Sequence, residues 1–459
     1  MPAASDETIP DRPDQTATLA DRLIAKLDAA DALIGVVGLG YVGLPALRAF
    51  HDCGFRTLGF DIDPRKIERL NRGETYLKTM PATAIAAMVA SGRFEATGDA
   101  ARLGDADAIL ICVPTPLTRQ REPDLSYVAG TAETLRAHLR RGQLIVLEST
   151  SYPGTTETVL KPLLEQSGLR SGIDFLLAYS PEREDPGNTA FATSTIPRVV
   201  AGDGADAARV AAALYGKAVQ QVVPVSSLAT AEAVKLTENI FRAVNIALVN
   251  ELKQVYGAMD IDIWEVIEAA KTKPFGYMPF YPGPGLGGHC IPIDPFYLAW
   301  KAREYGVATR FIELAGEINT QAPSHVVAAV IEALSTRLKR SLAGSRILIL
   351  GAAYKKNIDD TRESPALQLM EMLAARGAEI AYYDPFIPEL PPTRKHGALA
   401  GRHSVAWDLD AFRRYDLALI CTDHDGVDYA GLVAALPCVV DTRNATRAVA
   451  AGRDRIVLA

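Results

Sequence analysis

The sequence has no long basic run, no closely spaced pair of cysteines and no apolar run long enough to span a membrane. A net charge of −7, with 22% charged residues, argues against a nucleic-acid partner. The five cysteines are scattered without a CxxC pair or a histidine at ligand spacing, which excludes structural zinc and a disulfide framework. The polar, acidic N-terminus predicts no signal peptide. We therefore expect a reduced cytoplasmic protein with no metal and no membrane association.

Short apolar runs alternate with helical patterns along much of the chain. We predict strands over residues 32–37, 56–60, 108–113, 144–147, 175–179, 198–201, 345–351, 379–383, 417–421 and 438–441. Helical patterns cover residues 229–259, 261–270 and 296–337. Alternation of this kind indicates parallel strands with the ligand at their carboxyl ends. The predicted fold class is α/β, with two Rossmann-like doubly wound domains joined by a long central helix and a helical middle domain.

A glycine-rich turn follows the first predicted strand. The segment Gly38-Leu39-Gly40-Tyr41-Val42-Gly43 leads into an apolar helix, which is the context that a dinucleotide fingerprint requires. Gly38 permits a tight turn, Gly40 admits a pyrophosphate and Gly43 allows close helix packing. Asp61 ends the second strand, where a carboxylate accepts hydrogen bonds from ribose and repels a 2′-phosphate; Lys66 lies nearby. The pattern predicts NAD as the cofactor.

Cys290 lies at the end of eight residues that include four glycines. A lone cysteine is usually an inert, buried thiol. Glycines that let the backbone approach a ligand, together with a hydride acceptor upstream, favour a nucleophile instead. A thiol can hold an aldehyde as a thiohemiacetal, which loses a second hydride to become a thioester. The combination predicts oxidation of an alcohol to an acid.

Seven ordered motifs carry a family resemblance. They are GLGYVG at 38–43, VPTP at 113–116, EST at 148–150, SPER at 180–183, AEAVKLTEN at 231–239, GPGLGGHCIPIDP at 283–295 and DDTRESP at 359–365. Together they resemble the UDP-glucose/GDP-mannose dehydrogenase family over nearly the whole chain beyond the N-terminal tail. HCIPIDPFYLAWK at 289–301 is similar to the branch that oxidises UDP-N-acetylglucosamine for bacterial surface polysaccharides. The resemblance implies an NAD-dependent enzyme with a UDP-sugar substrate.

The resemblance also implies a catalytic set. Its members are Cys290, Lys235, Asn239, Asp294, Glu182 and Thr150, and Thr115 and Thr150 are further implied to contact the cofactor. Lys235 and Asn239 share a helix face because they are four residues apart, and an ammonium with an amide can stabilise an oxyanion. Asp294 is implied to orient or activate water, with Glu182 and Thr150 completing the proton network.

A second implied set holds the nucleotide-sugar. It consists of Arg183, Lys235, Asn239, Gly285, Gly287, Gly288, Lys355, Arg362 and Arg443. Arginine offers a diphosphate two parallel hydrogen bonds, and the backbone amides of a glycine loop bind phosphate without any side chain.

One position departs from the family pattern. UDP-glucose dehydrogenases carry a second glutamate four residues after the counterpart of Glu182, and Pro186 stands there in this chain. The general base is therefore open between Glu182 and Asp294. His289 is a weaker acid-base candidate, because adjacent side chains usually point apart.

The implied organisation has four parts. A flexible tail and short helix occupy residues 1–30, an NAD-binding domain 31–225, a helical dimerisation domain with the catalytic loop 226–340, and a UDP-sugar-binding domain 341–459. The central helix has more apolar positions than one neighbouring domain would cover, which predicts a homodimer or larger homo-oligomer.

Several activities fit these patterns. UDP-N-acetylglucosamine is the first substrate expected, with UDP-glucose, UDP-N-acetylmannosamine and UDP-N-acetylgalactosamine as alternatives. A β-hydroxyacid dehydrogenase would share the first domain and the lysine–asparagine pair, but needs neither Cys290 nor a domain after residue 345. An NAD-sensing or scaffold protein would keep the fold without turnover.

Overall fold

The computed structural model describes residues 17–77, 80–118, 120–183, 193–288, 291–393 and 395–459. The predicted tail, Pro186, His289 and Cys290 lie outside these ranges. The described chain forms two compact units. The N-terminal unit holds residues up to 115, 125–183 and 193–232, and the C-terminal unit holds 116–124 and most of the chain from 233 onwards.

The N-terminal unit is built on an eight-stranded sheet. Its strands are β1 Leu33–Val37, β2 Arg56–Phe60, β3 Phe94–Thr97, β4 Ala108–Ile111, β5 Leu144–Leu147, β6 Leu176–Tyr179, β7 Arg198–Gly202 and β8 Val222–Pro224. They lie in the order β3-β2-β1-β4-β5-β6-β7-β8. The central strands β4, β5 and β6 are buried throughout, as apolar strands covered on both faces should be.

Helices cover this sheet. They are α1 Leu19–Asp28, α2 Gly43–Asp52, α3 Pro64–Asn71, α4 Ala82–Ala90, α5 Ser126–Arg136, α6 Lys161–Glu165 and α7 Ala205–Ala218, and a π-helical turn, Thr156–Leu160, precedes α6. The predicted first helix is confirmed. It starts at a capping box in which the Thr18 hydroxyl accepts from the Asp21 amide and the Asp21 carboxylate accepts from the Thr18 amide.

The C-terminal unit contains a five-stranded parallel sheet and most of the long helices. Its strands are β9 Arg346–Leu350, β10 Glu379–Tyr383, β11 Leu417–Ile420, β12 Val439–Asp441 and β13 Ile456–Leu458, in the order β10-β9-β11-β12-β13. The helices are α8 Leu228–Ala258, α9 Ile263–Ala270, α10 Asp294–Glu304, α11 Arg310–Leu338, α12 Pro365–Ala374, α13 Leu409–Phe412 and α14 Tyr429–Ala435, with the start of α8 in the N-terminal unit. No helix within the described ranges is both long and apolar enough to cross a membrane.

The α/β fold class with two Rossmann-like sheets and a helical middle region is confirmed. The predicted parallel direction of residues 198–201 is wrong, because β7 runs antiparallel to β6, with Tyr179 opposite Ala201. A parallel return requires a long crossover, usually a helix, and the described part of the β6–β7 connection contains only a 3₁₀ turn at Thr193–Thr195.

Candidate active site

The glycine turn after β1 is too tight for side chains at two positions. Gly38 has φ +91°, and a Cβ there would lie 2.7 Å from the carbonyl oxygen of Cys112. Gly43 opens α2, where an added Cβ would lie 2.0 Å from the Gly38 oxygen. At Gly40 an added Cβ would meet no atom within 4 Å, so the backbone there is open to a ligand. The turn fits the pyrophosphate of a dinucleotide at the start of α2.

Asp61 ties this turn to the end of β2. Its Oδ2 accepts from the backbone amide of Leu39 at 2.9 Å and from Lys66 Nζ at 2.8 Å, and its Oδ1 accepts from the amide of Asp63 at 2.9 Å. The structure thus brings together Leu39, Asp61 and Lys66 of the predicted cofactor set. Tyr41 and Val42 lie in the same turn, and Val42 caps α2.

The C-terminal unit repeats part of this arrangement. Gly351 follows β9 with φ +84°, and Asp384 follows β10. Asp384 Oδ2 accepts from the amides of Ala352 and Ala353 at 2.7 and 3.0 Å. The buried His424 has its Nε2 3.0 Å from the same oxygen, where Asp61 has a lysine.

Three further predicted residues follow neighbouring strands of the N-terminal sheet. Thr115 and Thr150 are buried beyond the ends of the paired strands β4 and β5, and Glu182 follows β6. Glu182 Oε2 accepts from Nη1 of the buried Arg198 at 2.9 Å. Arg183 donates to the carbonyl of Pro197 at 2.6 Å, so its guanidinium lies against the connection between β6 and β7.

Lys235, Asn239 and Asp294 form one buried cluster in the C-terminal unit. The two helical residues face α10, whose first residue is Asp294, and Asn239 Nδ2 donates to Asp294 Oδ2 at 2.6 Å. All three residues are less than a tenth exposed. Burial raises the pKa of Asp294 to about 7, against the opposing effects of the Lys235 charge and the Asn239 hydrogen bond. Asp294 can therefore exchange a proton near neutral pH.

The glycine-rich loop before residue 289 packs closely inside the C-terminal unit. The Gly283 amide donates to Asn250 Oδ1 at 3.0 Å, and Gly288 donates to the carbonyl of Arg362 at 3.0 Å. A Cβ on Gly287 would lie 2.5 Å from Tyr354 Cβ, and Gly285 has φ +146° beside Pro365. Glycine is required because larger residues would push this backbone away from its neighbours.

Basic side chains of the predicted substrate set surround this loop. Arg443 Nη1 would lie 2.4 Å from a Cβ on Gly283, so the guanidinium touches the first glycine of the loop. Arg362 is paired with Asp360, its Nε donating to Oδ1 at 3.0 Å. Lys355 follows Tyr354, which packs on Gly287, and is half-buried. The loop, Arg362 and Arg443 are thus brought together.

Sequence reasoning missed several polar residues that support these clusters. Asn250 bridges the glycine loop to Asn319 Oδ1 at 3.2 Å. Glu232, buried and three residues before Lys235, accepts from the amide and hydroxyl of Thr156 at 2.9 and 2.7 Å. Burial raises the pKa of Glu232 to about 7. The sequence signal that could have identified Glu232 and Asn250 was a polar residue on the buried face of a helix most of whose buried residues are apolar.

The chain matches three domain models of one family. They are the NAD binding domain over residues 32–219, the central domain over 229–321 and the UDP binding domain over 348–448. Together with the glycine turn, these matches define an NAD-dependent oxidoreductase. The chain belongs to the UDP-glucose/GDP-mannose dehydrogenase family, and within it is a UDP-sugar dehydrogenase.

Relatives match most of the chain. The UDP-N-acetyl-D-mannosamine dehydrogenase of Pyrococcus horikoshii is 37% identical over 357 residues, covering 77% of this chain and 84% of that protein. The UDP-N-acetyl-D-glucosamine 6-dehydrogenase of Pseudomonas aeruginosa is 34% identical over 370 residues, covering 80% and 86%. The solved structure of a UDP-D-ManNAc dehydrogenase from P. horikoshii matches with a TM-score of 0.82 and 33% identity, covering 90% of this chain and 96% of that chain. Proteins named for two epimeric sugars therefore match at similar identity.

Proposed function

We propose that this chain oxidises the C6 alcohol of a UDP-N-acetylhexosamine to the carboxylate, with two molecules of NAD consumed per sugar. The observation that carries the proposal is the buried cluster of Lys235, Asn239 and Asp294. Asp294 lies four residues after Cys290 in the sequence. An ammonium, an amide and a carboxyl that titrates near neutrality are the groups needed to move protons and stabilise an oxyanion.

The proposed chemistry has four steps. NAD, held by the turn at Gly38–Gly43 and by Asp61, supplies the hydride acceptor when bound. A base removes the hydroxyl proton as the first hydride leaves C6, and the aldehyde forms. The Cys290 thiolate adds to that aldehyde, and loss of a second hydride gives a thioester. Water then cleaves the thioester, releasing the acid and the thiol.

Asp294 is the proposed base. Its pKa of about 7 lets it accept a proton at working pH. Glu182 instead faces a buried guanidinium at 2.9 Å, which favours the ionised carboxylate and makes it a weaker proton acceptor. Lys235 and Asn239 are proposed to stabilise the alkoxide and the tetrahedral oxyanion, and Thr115 and Thr150 to contact the cofactor.

The proposed UDP site is the surface formed by the glycine loop and its basic neighbours. Backbone amides of Gly285, Gly287 and Gly288 and the guanidiniums of Arg362 and Arg443 provide donors for a diphosphate. Lys355 and Arg183 are assigned to the same substrate as further cations. The domain boundaries expected from the sequence, at residues 31, 226 and 341, remain part of this proposal.

The relatives change the order in which sugars should be tested. UDP-N-acetylglucosamine was the first expectation, but a relative of similar identity and a solved structure are named for UDP-N-acetylmannosamine. We expect activity with one or both of these epimers, and less with UDP-glucose, which lacks the N-acetyl group.

The test is an assay of NADH formation against UDP-glucose and the UDP forms of N-acetylglucosamine, N-acetylmannosamine and N-acetylgalactosamine. The expected result is about two NADH per sugar and no free aldehyde, because the thiol retains the intermediate for the second hydride transfer. NAD should be strongly preferred to NADP, since the Asp61 carboxylate repels a 2′-phosphate. A ratio near one, or no turnover with any of the four sugars, would contradict the proposal.

A second copy of the chain is the proposed partner. The large side chains Phe241, Leu248 and Val255 repeat every seven residues on α8, Met259 directly follows its end, and these side chains are 41–61% exposed. A stripe of this kind favours a self-complementary helix interface. Leu248→Glu should lower the molar mass measured by light scattering to that of one chain, because the charge would be buried in the interface. Ile173→Glu, at an exposed apolar residue elsewhere, is the matched control, and a monomeric unmodified protein would refute the interface.

A further inference from the structure

Arg198 is the centre of a buried ionic cluster in the N-terminal unit. Its Nη1 donates to Glu182 Oε2 at 2.9 Å, its Nε donates to Ser180 Oγ at 2.8 Å, and its Nη2 lies 2.8 Å from Glu148 Oε1. The guanidinium also stacks 4.9 Å from the ring centre of Tyr215. Nε and Nη1 are thus hydrogen-bonded, whereas Nη2 lies at ion-pair distance from Glu148 without the geometry of a hydrogen bond.

The cluster holds two carboxylates against one guanidinium, away from water. The side chain of Glu148 has no exposed surface, and those of Arg198 and Glu182 are 8% and 10% exposed. Glu148 also accepts from the Tyr215 hydroxyl and lies 3.6 Å from Cys112 Sγ. Burial and the Glu148 charge raise the pKa of both Tyr215 and Cys112 well above their usual values, so both stay neutral. Arg198 is therefore a buried cation that faces both carboxylates.

The antiparallel direction of β7 produces this contact. Tyr179 pairs with Ala201, and continuing that register by three residues sets Glu182 opposite Arg198. A parallel β7 would carry Arg198 to the other end of β6. The strand direction that the sequence pattern did not predict is thus the feature that brings a guanidinium to Glu182.

The cluster also reaches the strand end that carries Thr150. Glu148 is the first residue after β5, and its amide donates to the carbonyl of Ile111 at 3.0 Å. Thr150 follows two residues later. Arg198 therefore joins the connections after β5 and β6, each of which bears a residue of the implied catalytic set.

We propose that Arg198 is a positioning residue that holds the Glu182 carboxylate ionised and oriented, so that Glu182 serves as a fixed hydrogen-bond acceptor while Asp294 exchanges the proton. This inference rests on the proposed function for its kinetic consequence. The ionisation of Glu182 is a property of the protein alone.

The first experiment compares the kinetics of two variants. Arg198→Lys keeps the positive charge but loses the planar guanidinium that reaches both carboxylates, and Arg209→Lys, at an exposed ion pair, is the control. A misplaced carboxylate should lower kcat about tenfold to a hundredfold in Arg198→Lys. The KM for NAD should stay within about twofold, because the glycine turn is unchanged. The pH profile of kcat should keep its shape, because the lysine retains the positive charge beside Glu182. An unchanged kcat in Arg198→Lys would overturn the proposal.

The second experiment is independent of turnover. Carbon-13 NMR of carboxyl-labelled glutamate, with the Glu182 signal identified by its loss in Glu182→Gln, should show no titration of Glu182 in the unmodified protein between pH 6 and 8, the range in which an unpaired buried carboxyl can titrate. In Arg198→Met combined with Glu148→Gln, which removes one buried charge of each sign, Glu182 should titrate at a higher pH than in the unmodified protein. Titration of Glu182 near neutrality in the unmodified protein, or an unchanged titration midpoint in the double variant, would overturn the role of Arg198. A protein that turns over no UDP-sugar would refute the proposed function alone.

Discussion

Cys290→Ser should bind NAD and UDP-sugar almost as tightly as the unmodified protein while losing several orders of magnitude in turnover to the acid, as other enzymes do on losing a covalent nucleophile. Binding should survive because the proposed phosphate donors are backbone amides and basic side chains, with no role for the thiol. The weaker serine nucleophile leaves acyl-enzyme formation too slow. Isothermal titration and NADH assays measure the two quantities separately.

The matched control is Cys53→Ser. Cys53 is an exposed free thiol, so a hydroxyl there should leave activity unchanged. Cys438 is a less suitable control, because it is buried in the apolar core of the C-terminal unit, where serine would also cost stability. Near-normal oxidation to the acid by Cys290→Ser would replace the thioester by direct hydration of the aldehyde.

Asp294→Asn should lower kcat/KM about 10²- to 10⁴-fold, the usual contribution of a positioned general base. In the unmodified protein, log kcat/KM should rise with pH and level off above about pH 7, where the Asp294 carboxyl loses its proton. That acid limb should disappear in the variant. The amide is close in shape to the carboxyl, so any effect on folding should be small. A pH series of initial rates makes the comparison.

The same group has a predictable effect on stability. The folded-state pKa of about 7 lies above the ordinary value of 3.8, so protonated Asp294 favours folding. This contribution is complete below about pH 4 and is lost as the pH rises through about 7. Glu232 acts in the same direction, and only the difference between Asp294→Asn and the unmodified protein isolates Asp294. The variant should therefore gain stability relative to the unmodified protein as the pH rises from about 4 to about 7, and the difference should stay constant above that range.

Glu182→Gln distinguishes the two candidate bases. If Asp294 is the base, this variant should keep the acid limb near pH 7 although its rate falls. Loss of the limb in Glu182→Gln and its survival in Asp294→Asn would exchange the two roles.

The central strands were predictable, whereas three of the four edge strands were not; the fourth edge strand, β10, was predicted at residues 379–383. Strands such as Leu144–Leu147 are unbroken apolar runs, because both faces of a parallel sheet are covered. Strands β3, β8 and β13 lie at the edges of their sheets, where short strands with partly exposed residues carry no continuous apolar signal. Strand direction at β7 depends on the connection before it, which apolar periodicity does not describe.

The site was predictable where chemistry depends on local spacing. Lys235 and Asn239 are one helical turn apart, and the glycine turn is a continuous segment. The contact between Glu182 and Arg198 was not predictable, because the two residues are sixteen positions apart and meet through the pairing of β6 with β7. The arginine that begins the apolar segment RVVAG indicated that a buried acidic partner exists. The sequence did not indicate which acidic residue that partner is.

Asp61 and Asp384 make the same kind of contact in two units that match domain models for different ligands. In each unit a carboxylate at the end of the second strand fastens the turn after the first strand, so a search for that glycine and aspartate would flag both halves of the molecule as dinucleotide sites. The third partner of the carboxylate differs: it is a partly exposed lysine in the first half and a buried histidine in the second. Exchanging these partners is a rational starting point for moving nucleotide preference from one half to the other.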